Sequence, residues 1–102
     1  MIQTIIITGN IVADAELRSG KEGREFITFR VAVNEGSGED KKTSYYDVSS
    51  SRVALQQYLK KGSKITVIGH LSVSAVEKDG KAFLNAYVSA YDIDFGSAPK
   101  EG

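Results

Sequence analysis

Within Phe26 to Asn34, the residues Phe29, Val31 and Val33 alternate with Thr28, Arg30, Ala32 and Asn34. A period of two suits a strand with one face in a core and the other toward solvent. The alternation returns in Ser44 to Ser50, where Tyr46 and Val48 oppose Tyr45, Asp47 and Ser49. It returns again in Lys64 to Val76, with Ile65, Val67, Gly69 and Leu71 inward, and in Lys81 to Phe95. The Ile/Val/Thr-rich run from Gln3 to Ala13 is broken by Gly9, which marks a bend or bulge in a long first strand. Five strand segments within 102 residues leave room for one domain and one core, here residues 1–95, with 96–102 expected as a short tail.

The connections narrow the fold further. Ser19 to Arg24 carries the glycines of a hairpin turn, Glu35 to Lys42 is a Gly/Ser/charge loop, and Asp79-Gly80 is a type I′ hairpin signal. Between the third and fourth strands the period changes: Val53, Leu55, Tyr58 and Leu59 suit a short helix. Ser51 would cap it, Lys60 and Lys61 would lie at its negative end, and Gly62 would follow its last turn. The order β-β-β-α-β-β with a bent first strand is that of an all-β, five-stranded Greek-key OB-fold barrel with one short helix between strands three and four.

Composition excludes several classes of function. Lys+Arg and Asp+Glu both number 13, so an anion must be attracted by a local patch rather than by net charge. With no cysteine, disulfides and thiolate metal sites are ruled out, and a reducing, cytoplasmic setting is expected. The apolar run Ile5 to Ile7 is too short for a membrane span or signal core. One histidine, His70, and the lack of the usual nucleophile, metal and phosphate-loop motifs argue against an enzyme, and no cofactor is expected. Asp92 with Asp94, and Asp14 with Glu16, share strand faces as solvated carboxylates.

Two stretches carry a resemblance to a known family: Gly9-Asn10-Ile11-Val12-Ala13-Asp14-Ala15-Glu16-Leu17-Arg18, and Tyr58 to Leu71, which contains Lys60-Lys61-Gly62-Ser63-Lys64 and Gly69-His70-Leu71. Together they resemble the bacterial single-stranded DNA-binding (SSB) proteins, over about Ile5 to Phe95. The resemblance implies the same OB-fold, sequence-tolerant binding of single-stranded DNA in replication, repair, recombination or mobile-element maintenance, and assembly as homodimers or homotetramers through strand one. His70 would face the sheet surface that the family uses for subunit pairing.

Single-strand binding needs flat aromatic faces for bases and cations along the phosphates. Alternation places Tyr45 outside the barrel beside Arg30, and in the family pattern its position is a base-stacking tryptophan. Tyr46 points inward. Candidate backbone contacts are Arg18, Lys21 and Arg24 in the first hairpin, Arg30 on the sheet, Lys41 and Lys42 before strand three, Arg52 at the helix start, and Lys78 and Lys81 around the last turn. Phe83 is a second candidate platform, because the family often carries an aromatic there. Tyr87, Tyr91 and Phe95 read as a core or barrel-closing stripe.

The chain also departs from the family. Gly36 or Ser37, Ser51 and Val76 stand where the family has other stacking aromatics, Asp47 where it has an arginine, and Ala15 where it has a proline. The family's linker and acidic C-terminal tip, which recruit replication and repair proteins, have no counterpart before Gly102. The primary expectation is a compact, tail-less single-strand-binding protein. The alternative is an OB-fold protein-interaction module resembling the primosomal replication protein, with weak or no DNA binding. An OB-fold for sugars or another small ligand has no dedicated signature here.

Overall fold

The computed structural model describes residues 3–36, 39 and 41–95. Ser37 and the expected tail 96–102 lie outside the described residues, as does the side chain of Phe83. Six strands are present: β1 (Thr4–Ile11), β2 (Glu16–Ser19), β3 (Glu25–Glu35), β4 (Lys42–Ser50), β5 (Lys64–Lys78) and β6 (Lys81–Asp94). The sheet runs β1-β5-β6-β4-β3-β2 and closes where Asn10 and Ile11 of β1 pair with Ala32 and Val31 of β3. β4 and β6 pair in parallel over Asp47–Ser49 and Tyr87–Ser89, and every other pairing is antiparallel. This is the OB-fold barrel, with β2 added as a short sixth strand on the edge of β3.

Two local expectations need correction. The first strand ends at Ile11 rather than running to Ala13, and the segment after the bend returns as β2. The helix is a 3-10 turn, Val53–Tyr58, started by Arg52 with no side-chain cap; Ser51 offers its backbone carbonyl to Val53, not its hydroxyl. Six residues between two strands cannot amortise the costly first turn of an α-helix, and tertiary contacts decide its form.

Those contacts join the two stretches that carry the family resemblance. Ala15 N–H donates to the Leu59 carbonyl (3.0 Å), Gln56 Nε2 to the Ala15 carbonyl (3.2 Å), Lys61 N–H to Asp14 Oδ1 (2.8 Å) and Gly62 N–H to the Ile11 carbonyl (2.7 Å). Leu59 is thereby driven into the barrel, fully buried, and Gly62 turns the chain into β5 with φ +89°. Around Leu59 the interior is filled by Ile7 and Ile11 of β1, Ile27, Phe29 and Val31 of β3, Val48 of β4, Ile65 and Val67 of β5, and Val88 and Ile93 of β6. Tyr46, Val33 and Leu71 pack partly buried against this core.

Gly9 is needed because β1 crosses close over β3: a Cβ there would run into the Ala32 carbonyl oxygen and the Val31 side chain. Gly69 plays the same part on β5 against Ser89 and Val88, at a register irregularity between Ile68 and Gly69. At the other end of β5, Asp79 (φ +55°) and Gly80 (φ +77°) make the expected hairpin turn with both residues at positive φ.

Candidate functional site

The outer face where β3, β4 and β6 meet gathers the residues with binding chemistry. Register places Ala32 opposite Tyr45 and Arg30 opposite Asp47, and sets Asp47 in turn beside Tyr87. Tyr45 is 56% exposed and Tyr87 44% exposed, so both rings offer surface to a ligand. Between them Arg30 Nε donates to Asp47 Oδ1 at 2.8 Å, with both side chains open to water. That hydrogen bond, reinforced by the Asp47 charge, raises the Arg30 pKa above its ordinary value, and the Tyr45 and Tyr87 phenols act on the same guanidinium. An exposed pair of this kind contributes about 0–1 kcal/mol to stability, so its main effect is on the charge the face presents.

β2 forms one wall of an open cleft of about 400 Å³ over this face. Pairing of Glu16 with Thr28 lays β2 on the edge of β3, Arg18 Nη2 donates to Glu16 Oε1 at 2.6 Å, and Arg18 Nε donates to Thr28 Oγ1 at 3.3 Å. Tyr87 forms the opposite wall, and Phe29 and Val48 lie at the base with Ser49 beside them. The structure thus brings Arg18, Arg30 and Asp47 together around one cleft, with Tyr45 next along β4.

The placement of Tyr87 corrects the expectation that it joins Tyr91 and Phe95 in a core or barrel-closing stripe. Tyr87 and Tyr91 are exposed; of the three only Phe95 packs on the core, with its ring edge-on to Tyr58 at 6.2 Å between centroids. The reason is a register shift: Gly69 pairs with Ala90 and Ile68 with Asp92, so Tyr91 is left over, and the inward set changes from Val88 before it to Ile93 after it. Strict alternation from Val88 would have put Tyr87 outside, which was the available signal. Asp92 and Asp94 are exposed as expected, and His70 is half-buried between Thr4 and Ser89.

Beyond Leu71 the paired strands β5 and β6 leave the barrel as a two-stranded arm, exposed throughout Ser72 to Ala82. Ser72 pairs with Tyr87, Ser74 with Asn85 and Val76 with Phe83, ending in Lys78 opposite Lys81 at the tip. Lys78 and Lys81 face each other there beside Glu77 and Asp79, so the exposed tip carries two cations among two carboxylates.

The remaining candidate cations are dispersed. Lys21 and Arg24 flank the exposed turn between β2 and β3, while Lys41 and Lys42 stand where β4 begins. Arg52 lies past the end of β4, where Nη1 donates to Asp92 Oδ1 at 3.5 Å. All three arginines nearest the barrel wall, Arg18, Arg30 and Arg52, therefore face a carboxylate. Sequence alone could not show this, because Arg30 and Asp47 meet only through the β3–β4 register.

A family model described as the single-strand binding protein family matches residues 2–96. The chain belongs to this family. Among its relatives are a single-stranded DNA-binding protein of Fusobacterium nucleatum, 30% identical over 92% of this chain and 66% of the relative, and one of Treponema pallidum, 27% identical over 90% and 56%. The chain thus spans between about half and two thirds of the length of these family members. In structure it is similar to a small single-stranded DNA-binding protein from Streptomyces coelicolor (TM-score 0.74, 22% identity, 90% of this chain and 92% of that one). It is also similar to a Plasmodium falciparum SSB in complex with single-stranded DNA (TM-score 0.70, 21% identity, 92% of each). At such identities the two structures establish the shared fold.

Proposed function

We propose that this protein binds single-stranded DNA without strong sequence preference, on the outer face of β3, β4 and β6 and along the arm. The observation that carries the reading is the pair of exposed rings, Tyr45 and Tyr87, on one barrel face that runs into an arm tipped by Lys78 and Lys81. Unpaired bases stack on such rings regardless of identity, at about 1–3 kcal/mol each, a range established for single-strand-binding OB-folds in general. Phe83, on β6 within the arm, is a further candidate platform. Lys21, Arg24, Lys41, Lys42, Lys78 and Lys81 would follow the backbone, with Arg18, Arg30 and Arg52 weakened for that role by their carboxylate partners.

Family membership supports use in replication, repair, recombination or mobile-element maintenance, and binding without catalysis or cofactor is part of the same proposal. No helix of the described residues is long and apolar enough to cross a membrane, and a cytoplasmic setting goes with this function. Self-association as a dimer or tetramer is part of the same proposal: among the described residues, β1 from Thr4 to Gly9 pairs only with β5, and Ile6 is 65% exposed. An open, apolar edge of this kind is normally covered by another strand. The protein-interaction alternative is not favoured, because the family matched over residues 2–96 is a single-strand binding family.

Fluorescence anisotropy of labelled oligo-dT at low and physiological salt, with a matching duplex as control, tests the function. Submicromolar, salt-weakened binding with single-strand preference is the expected result, on the order of −8 kcal/mol or better. Absence of binding at tens of micromolar would reject the reading and direct the search to a protein partner.

A further inference from the structure

The cleft beside Tyr87 is poorly suited to a phosphate. Its lining carries three carboxylates, Asp14, Glu16 and Asp47, against two guanidiniums, Arg18 and Arg30, so a second anion would meet net negative charge. A metal ion is no better served, since among the described residues no group of three or more His, Asp or Glu side chains is placed to hold one. What the cleft offers is an aromatic wall, an apolar base and a donor–acceptor pair, at a size within the roughly 300–1,000 Å³ of small-ligand sites.

The Arg30–Asp47 pair supplies more than charge balance. Arg30 spends its Nε–H on Asp47 Oδ1, and no other hydrogen bond of the described residues engages either side chain. The guanidinium Nη groups remain as donors beside the free lone pairs of the carboxylate. Because the two oxygens of a carboxylate lie side by side, an Nη donor next to them makes an edge of one donor followed by two acceptors. Among the four bases, the Watson–Crick edge of guanine is its full complement: O6 accepts, and N1–H and the 2-amino group donate. Thymine matches the first two positions and sets a carbonyl against the third, while cytosine and adenine each place acceptors or nothing opposite one or more positions.

Building on the proposed single-strand function, we propose that this cleft holds one unpaired guanine of a bound strand, stacked on Tyr87, with its edge read by the Arg30–Asp47 pair. Asp47 then acts as a specificity residue: it gives up backbone attraction at the centre of the face in exchange for selecting a base. The site adds a preferred register to otherwise sequence-tolerant binding. In an open cleft the discrimination falls at the low end of the usual 1–3 kcal/mol for a bidentate base contact, which corresponds to about fivefold to tenfold in affinity.

The test is competition anisotropy with the intact protein and three oligo-dT strands carrying dG, deoxyinosine or dT at one central position. A lone dG cannot form four-stranded structures, and inosine removes only the 2-amino group. The dG strand is expected to bind about fivefold to tenfold more tightly than the all-dT strand, with inosine between them. In Asp47→Asn the dG advantage should vanish while affinity for the all-dT strand rises, because a carboxylate is lost beside Arg30; damage to the fold would lower affinity for the all-dT strand instead. Equal wild-type affinity for dG and dT strands would overturn the guanine site and leave single-strand binding standing. A dG preference that survives Asp47→Asn would overturn the assignment to this pair. Failure to bind any of the strands would reject the single-strand reading and the guanine site with it.

Discussion

Replacing Tyr45 by alanine removes one stacking platform while leaving the barrel almost untouched. The ring stands on the outer face of β4, more than half exposed and opposite the small Ala32, so little packing is lost with it. The cost to stability is that of a poorer strand former at a solvated position, up to about 1 kcal/mol, or a fall in Tm of up to about 4–8 °C for a domain of this size. The cost to binding is one base stack, about 1–3 kcal/mol, which weakens affinity roughly 5- to 150-fold. Tyr45→Phe keeps the ring face and should bind oligo-dT nearly as well as the wild type. Anisotropy titration of the three proteins, with thermal melts run alongside, separates the two effects. A folded Tyr45→Ala protein that binds oligo-dT within about twofold of wild type would refute the stacking argument, since even the weakest stack exceeds that change.

Three further outcomes follow from other parts of the structure. Tyr87→Ala should weaken oligo-dT binding by an amount similar to Tyr45→Ala, whereas Tyr46→Ala, on the core side of β4, should lower the urea midpoint instead. Log affinity should fall with log salt at about 0.7 per phosphate neutralised, so the six candidate cations without an ion-pair partner among the described residues give a slope no steeper than about −4 per subunit, and Lys78→Ala should make it shallower by about 0.7. Gly9→Ala forces a methyl against the β3 backbone at Ala32 and should cost about 1–3 kcal/mol or more in urea unfolding; a midpoint equal to wild type would mean that β1 and β3 are less closely apposed than described.

The barrel was legible where chemistry is local. Alternation around Phe29 and Val31 gave β3 its inner face, Tyr46 and Val48 did so for β4, and Asp79-Gly80 carried its own hairpin geometry. What was not legible depends on contacts distant in sequence. β2 is only four residues long, exposed throughout, and exists because Glu16 to Ser19 finds the free edge of β3. The Val53–Tyr58 turn takes its form from Leu59 and Gln56 being drawn to Ala15. Tyr87 was misread because a register shift at Gly69 changes the parity of β6 between Val88 and Ile93. Arg30 was correctly placed outside as a cation, but its neutralisation by Asp47, 17 residues away, required the strand register.

The most direct test of the central claim is an amide chemical-shift map of the labelled protein titrated with oligo-dT. The largest changes are expected around Arg30, Tyr45, Asp47 and Tyr87, extending along the arm toward Lys78 and Lys81, with little change on the outer side of β1 around Ile6. Changes centred on Ile6 and Ile68, with the β3–β4–β6 face silent, would contradict that claim.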